Sequence, residues 1–398
     1  MQAKILKPRV LIFFRKTIFL LPAMWAMLLF GGFAEVNAQT PKGGIASRYI
    51  NSLINDTADI SRPQFLVYPA LSYSPETSWE FGLSGLYVYF ARRDTTNRLS
   101  EIKAYTFYTL EKQYGLLINN NLYANQNKWA LLGRLRYQKF PLLYFGIGPG
   151  TNADYLARVN AVQLQVKERL LRRLGRSVFA GIGADFQQLR SVTFITENRP
   201  TITQLPTGAL GSRTVGFGPS LIFDNRKNVL NVRRGAYSEL SVLRYHKAFG
   251  SQHSFTNLIA DQRFFIPVNK RDVLAMQVLG NVNIGQAPFH QLALMGGENL
   301  MRGYYLGRFR DNNLVAAQAE YRFLPLPLGF TKRWGAAVFG GYGSVFDEPE
   351  TLKARHFVWS AGGGLRFLVF PKKDIFTRLD AAFTADGPGF YIFIGEAF

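Results

Sequence analysis

Alternation of apolar and polar side chains is the feature that most limits how this chain can fold. In residues 128–138, KWALLGRLRYQ, Trp129 and Leu131 fall on one face and Arg134 and Arg136 on the other. A period of two predicts a β-strand with one apolar and one polar face. The same period recurs, among other places, in 101–111, 273–284 and 314–323.

Segments of this kind are about ten residues long, which is the length that a tilted strand needs to cross a bilayer. A soluble β-sandwich shows similar alternation, but Tyr and Phe crowd the segment ends here, as they do at membrane interfaces. We therefore predict an all-β fold, a 16-stranded antiparallel transmembrane β-barrel. The predicted strands are 65–74, 79–91, 100–111, 115–124, 128–139, 155–168, 176–190, 213–224, 235–246, 253–266, 271–284, 313–323, 334–346, 356–370, 373–384 and 389–398.

The first 38 residues have the organisation of a secretory signal. A basic start precedes a mostly apolar stretch, 17–33, and Val36-Asn37-Ala38 is a small-residue cleavage site. An uncleaved transmembrane anchor is the alternative. We predict a signal peptide at 1–38, a short periplasmic segment at 39–64 that is either an amphipathic helix or an ordered tail, and a transmembrane β-barrel at 65–398.

Composition excludes several classes of function. The chain has no cysteine, so it forms no disulfide and performs no thiol chemistry. Its net charge of +21 would suit binding to nucleic acid, but export argues against that partner. The basic charge fits better with contacts to anionic outer-membrane lipid, including lipopolysaccharide, or with a basic barrel lumen. The four histidines lack ligand spacing. We expect no enzyme, no catalytic residue, no metal and no cofactor.

One connection is unusually long. Residues 285–312 join the eleventh and twelfth predicted strands, and the stretch MGGENLMRGYYLGRFRDNN occupies 295–313. A connection of roughly 28 residues usually has a function. With the N-terminus in the periplasm, strand parity makes this connection extracellular in origin.

Two motifs resemble the BamA/TamA superfamily of outer-membrane assembly and translocation barrels, also called bacterial surface antigen proteins. The Arg-Gly-Tyr of 302–304 is similar to the conserved loop of that family, which folds into a sixteen-stranded barrel between strands eleven and twelve. The segment 223–240 is similar to its strand–turn–strand motif. There Asp224, Arg226 and Gly235 match, as does Asn228, whereas the family proline is Val232.

Two further stretches, 68–77 and 338–347, resemble the family's first barrel strand and its F-x-D-x-G strand. Two departures accompany them. The family aspartate that pairs with the loop arginine aligns with Gly341, and only 26 residues lie between the predicted cleavage site and strand one, too few for a periplasmic polypeptide-transport-associated domain.

The resemblance implies that the long loop is anchored in the lumen. We expect Arg302 to be the anchor, with Tyr304 beside it and with Gly296, Gly297 and Gly303 permitting tight bends. A buried guanidinium needs a carboxylate, preferably a bidentate one. Glu320, on the polar face of strand twelve, is the predicted partner. Asp347, later along the chain, is a second possible acid for Arg302 but is nearer the rim.

The last predicted strand has an apolar face of the kind that serves as an assembly signal. It comprises Phe390, Ile392, Ile394 and Phe398, and Glu396 interrupts it. The expected function is assistance to outer-membrane protein insertion or translocation in the bacterial outer membrane. The partners would be the barrel assembly machinery and other outer-membrane or periplasmic proteins. A passive diffusion pore or structural barrel is the alternative.

Overall fold

The structure, a computed structural model, describes residues 59–74, 78–196, 202, 204–326 and 332–398. The predicted signal peptide and the predicted periplasmic segment up to residue 58 lie outside these ranges.

Sixteen long strands form one continuous sheet in which each strand pairs antiparallel with the next. They are β1 (Gln64–Ser74), β2 (Ser78–Phe90), β3 (Leu99–Thr109), β4 (Tyr114–Tyr123), β5 (Trp129–Lys139), β7 (Ala157–Arg173), β8 (Val178–Ile195), β9 (Ser212–Asp224), β10 (Gly235–Tyr245), β11 (Phe255–Pro267), β12 (Asp272–Gly285), β15 (Asn313–Phe323), β16 (Trp334–Phe346), β17 (Val358–Phe370), β18 (Ile375–Thr384) and β19 (Gly387–Ile394).

Three short strands complete the sheet structure. β6 (Leu142–Tyr144) pairs with β7, and β13 (Ala293–Met295) pairs with β14 (Phe309–Asp311) inside the long loop. No helix among the described residues is both long and apolar enough to span a membrane. In the part of the chain that the structure describes, the helices are single 3₁₀ turns at Ala91–Arg93, Asn125–Asn127, Lys247–Phe249, Pro349–Thr351, Ala354–His356 and Pro371–Lys373.

The predicted all-β fold and its antiparallel sheet are confirmed, and the sixteen predicted strands correspond to the sixteen long ones. The largest differences are in β7 and β8, which each end five residues later than predicted. Arg169 explains the difference in β7. It faces the interior and pairs there with Glu239, so its charge is compensated inside and the strand continues to Arg173.

The two faces of the sheet are inverted relative to a soluble protein. Outward side chains are large and apolar, and Ile182 and Phe390 are 65% and 58% exposed. Inward side chains are polar and buried, including Asp185, Glu320 and Arg322. Such a surface is stable only where lipid covers it.

Successive antiparallel strands place alternate connectors at the same end of the sheet. We call the end with connectors 91–98, 225–234 and 371–374 the lower rim, and the end with connectors 140–156 and 286–312 the upper rim. Within the described residues, the strand ladders run from β1 to β19 without a ladder between β19 and β1.

The prediction of a strand continuing to Phe398 is wrong in its last four residues. β19 ends at Ile394, and Gly395 turns the chain with a φ of +83°. Glu396 then enters the interior, and Phe398, which is 6% exposed, packs on Phe265. The turn is favoured because a lipid-facing carboxylate would be costly, whereas inside the barrel Glu396 meets arginines. Phe390 and Ile392 remain on the outward face.

Candidate functional site

The long loop, residues 286–312, folds back against the interior of the sheet. The β13–β14 pair forms its stem, and Gly296 and Gly297 leave the stem with φ values of +119° and +108°. The stem contacts the 140–156 connector, where the amide of Gly148 donates to the carbonyl of Arg310 at 2.8 Å. The structure thus places the predicted glycines at the bends.

Arg302, near the tip of the loop, is 1% exposed and binds two carboxylates. Its Nη2 lies 2.5 Å from Glu320 Oε2 on β15, and its Nη1 lies 2.5 Å from Asp380 Oδ2 on β18. The guanidinium also stacks on Phe339, at 3.4 Å from the ring centroid. The structure therefore brings Arg302 and Glu320 together and adds Asp380.

Three more arginines share these carboxylates. Arg322 Nε lies 2.8 Å from Glu320 Oε1, and Arg366 binds both Glu320, at 3.1 Å, and Asp380, at 2.6 Å. Arg378 Nη1 lies 3.4 Å from Asp380. The inward tail supplies the third acid, because Glu396 lies 3.0 Å from Arg366.

This arginine network contains four guanidiniums and three carboxylates, all of them buried, with one excess positive charge. Removing ions from water is costly, and only dense pairing with good geometry offsets the cost. The network joins the loop, β15, β17, β18 and the tail after β19. It therefore holds one side of the sheet and the loop together.

Glycines make room for the network. Gly364 lies on β17 opposite Asp380, and a Cβ there would be 2.2 Å from Asp380 Oδ1. At Gly362, a Cβ would be 2.7 Å from the Phe339 ring. The run 362–364 thus permits close approach. Gly341, where the family aspartate was expected, lies against Met301, with the Sδ atom 3.0 Å from the Cβ position.

Further contacts fix the rest of the loop. The amide of Gly303 donates to the hydroxyl of Tyr391 on β19 at 2.9 Å, and the Ser360 hydroxyl donates to the Arg302 carbonyl. Tyr304 is buried and packs edge-on against Phe309. The loop is consequently attached to β17 and β19 by its backbone as well as by Arg302.

Gly296→Ala should displace the loop. A Cβ at this position would lie 2.1 Å from the carbonyl oxygen of Tyr305, and the φ of +119° is strained for alanine. We expect a loss of about 1–3 kcal/mol in the free energy of unfolding, measured by urea titration in detergent. Gly150→Ala is the control, because its Cβ would meet nothing within 4 Å. Equal stability of the two variants would contradict this account.

His290 makes the loop sensitive to acid. Its side chain is buried, with Nε2 3.4 Å from the Ser212 hydroxyl, and burial together with the nearby His253 and Arg310 lowers its pKa to about 3. Below about pH 6.5, the His290 side chain therefore binds a proton in the unfolded state but stays neutral in the folded state. Stability contributed by neutral His290 is complete above that pH and declines towards pH 3, by at most about 1.4 kcal/mol per pH unit.

Comparing the wild type with His290→Gln tests this expectation. Urea unfolding between pH 7.5 and 4 should show a steeper loss for the wild type than for the variant. Parallel pH profiles would mean that His290 does not carry the effect.

The predicted strand–turn motif lies at the lower rim. Asp224 accepts two hydrogen bonds from the Arg226 guanidinium, at 3.0 and 3.2 Å, and pairs with Arg98 at 2.7 Å. Gly235 begins β10 with a φ of +120°, which lets Asn225 approach. The connector that follows Asp224 reaches across the rim to 371–374, where Arg233 binds Asp374 through two nitrogens at 2.7 Å each.

Comparison with known proteins identifies the family. A model of the Omp85 superfamily domain matches residues 100–369. The chain belongs to the Omp85 superfamily. Its Omp85 membership confirms the resemblance seen in the sequence and makes it a protein of the outer membrane.

Solved Omp85 structures share the fold. They include BamA from Haemophilus ducreyi lacking POTRA domains 1–3, with 13% identity, a TM-score of 0.51, and coverage of 84% of this chain and 69% of that one. CdiB from Acinetobacter baumannii has 10% identity, a TM-score of 0.52 and coverage of 83% and 59%. CdiB from Escherichia coli has 10% identity, a TM-score of 0.53 and coverage of 85% and 63%.

This chain therefore spans less than two thirds of the two CdiB structures, and the identities establish the fold alone. No curated protein matches this Omp85 chain significantly.

Sequence reasoning missed Asp380, Arg366 and Arg378 as parts of the site. Each is a charged residue at an inward position of an alternating strand, which was a usable signal. What the sequence lacked was the register that places Asp380 opposite Gly364 and Arg366 opposite Arg378.

Proposed function

We propose that this Omp85 barrel assists the insertion or translocation of other outer-membrane polypeptides, together with partner proteins. The observation that carries the proposal is the anchoring of Arg302 by Glu320 and Asp380. It ties the loop to the β15–β18 side of the sheet. That side is braced, and the boundary between β19 and β1 is left as the place where the sheet can open.

The interior cavity extends to that boundary. Its volume is about 2310 Å³, and residues of β1, 68–70, and of β19, 390–394, are among those that line it. A client polypeptide in the cavity would therefore contact the two strands that flank the boundary.

The proposed partners follow from the same function. Omp85 proteins work with other proteins in outer-membrane assembly systems. We propose that this one uses the barrel assembly machinery for its own insertion. Other outer-membrane or periplasmic proteins would deliver its clients, and its apolar outer face would contact outer-membrane lipid and lipopolysaccharide.

A passive diffusion pore is the second candidate, and the size of the cavity favours it. In a pore, the charged inward faces would select ions. The two functions differ in whether the β1–β19 boundary must move.

A reducible cross-link across the boundary tests this difference. Cysteines at Val67 and Ile392, on the outward faces of β1 and β19, would be the only cysteines in the chain and are joined by a thiol-cleavable bifunctional reagent. In cells that contain no other copy of the protein, the cross-link should lower the amounts of other outer-membrane proteins, measured by quantitative proteomics. Reduction of the cross-link should restore these amounts. Cysteines at Leu365 and Leu379, which are ladder partners, are the matched control. An unchanged proteome, with steady conductance in planar bilayers, would favour the pore.

A further inference from the structure

The interior side opposite the arginine network carries a row of basic and amide side chains. Four ladder partners lie side by side on neighbouring strands: Lys103 on β3, Asn119 on β4, Arg134 on β5 and Lys167 on β7. Arg136 lies two residues further along β5. All five line the cavity, and we call them the basic wall.

Neighbouring acids neutralise the ends of the basic wall but not its centre. Lys103 lies 3.6 Å from Glu101, and Lys167 lies 3.9 Å from Asp185. Arg134 and Arg136 have no ion pair within 4 Å among the residues that the structure describes. Two guanidiniums in the middle of the wall are thus directed into the cavity without a carboxylate.

Across the cavity, the tip of the loop presents one acid. Glu298 lines the same space and attracts both Arg134 and Arg136 electrostatically. It comes from the loop segment just before Arg302. Asp185 on β8 and Glu239 on β10 attract Arg134 more strongly, so Glu298 is the acid on the loop that attracts both arginines.

We propose that the basic wall binds an acidic segment of a client polypeptide in an extended conformation. The inference rests on the proposed insertion or translocation function and names the feature of the client that is recognised. Arg134 and Arg136 would pair with carboxylates in place of Glu298. Asn119 would donate to, and accept from, the backbone of the segment.

The spacing of the wall suits such a ligand. Arg134 and Arg136 are alternate residues of one strand, so their Cα atoms are about 6.6 Å apart. Alternate side chains of an extended polypeptide have the same separation. The amide of Asn119 also matches a peptide backbone, which offers donors and acceptors, better than a phosphate, which offers acceptors alone at full charge.

A peptide-binding measurement tests the proposal. The full chain, folded in phosphatidylcholine nanodiscs, is titrated with a 12-residue peptide of alternating Glu and Ser that carries an uncharged fluorophore. The reference peptide has Gln in place of Glu. Arg134→Gln with Arg136→Gln is compared with Arg172→Gln with Arg173→Gln, which removes the same charge from exposed residues outside the cavity.

We expect the acidic peptide to bind the wild type at least tenfold more tightly than the reference peptide. The Arg134/Arg136 variant should lose at least tenfold in affinity, since charge-assisted pairs are lost, and the control variant less than about twofold. Equal losses in both variants would overturn the proposal. So would displacement of the peptide by pyrophosphate at equal ionic strength, because that would indicate a general polyanion site. Heat-modifiable migration on gels shows that both variants are folded.

The two proposals can fail separately. Arginine-dependent peptide binding, combined with no effect of the β1–β19 cross-link in cells, would keep the basic wall and reject the function. A cross-link that depletes outer-membrane proteins, combined with no peptide binding, would reject the basic wall alone.

Discussion

Asp380→Asn should destabilise the barrel far more than the loss of an exposed ion pair does. Asp380 contacts Arg302, Arg366 and Arg378, so its neutralisation leaves four buried guanidiniums to two carboxylates. The excess positive charge doubles in a region excluded from water. Breaking a buried pair from one side costs about 3–5 kcal/mol, and three partners are affected here.

Urea unfolding in detergent and heat-modifiable migration on gels measure this effect. Asp374→Asn is the control, because Asp374 also pairs with an arginine, Arg233, but the two side chains are 35% and 32% exposed. We expect the control to lose about 1 kcal/mol or less, as exposed pairs do. A loss at Asp380 no larger than the loss at Asp374 would contradict the role given to the network.

Arg302→Met should release the loop while leaving the sheet assembled. Without Arg302 the network has three guanidiniums and three carboxylates, so the remaining charges balance. The loop retains its backbone contacts, the pairs of its stem, the Arg308–Asp386 pair and the hydrogen bonds that Arg378 and Gln318 donate to residues 298–299, but it loses its one buried ionic anchor at the tip. Limited trypsin digestion of the folded protein should therefore cut the loop at Arg308 or Arg310 at least about tenfold faster than in the wild type, as expected for a loss of about 1.4 kcal/mol or more.

Arg302→Lys distinguishes charge from geometry. A lysine keeps the positive charge but cannot reach Glu320 and Asp380 with a planar fork. Its cleavage rate should fall between those of the wild type and Arg302→Met. If Arg302→Lys behaves like the wild type, charge alone holds the loop, and if Arg302→Met is not cut faster, the stem holds the loop without Arg302.

The long strands could be predicted from the sequence because membrane strands repeat one simple requirement, apolar residues outward and polar residues inward. The partner of Arg302 was also accessible, since Glu320 lies on the strand that follows the loop. Asp380 was not, because it is 78 positions from Arg302 along the chain and depends on the registers of three intervening ladders. The inward turn at Gly395 was missed for a related reason. Glu396 looked like an interruption of an apolar face until its partner Arg366 was known.

Because the tail turns inward, a chain of ion pairs connects the residues after β19 to the tip of the loop. Glu396 pairs with Arg366, Arg366 pairs with Glu320 and Asp380, and both of these carboxylates bind Arg302. A displacement of the tail is therefore transmitted to the loop. Displacement at one end should then loosen the other. A double-mutant cycle between Glu396 and Arg302 would express this linkage as a coupling energy, which contacts sharing one network give and distant independent residues do not.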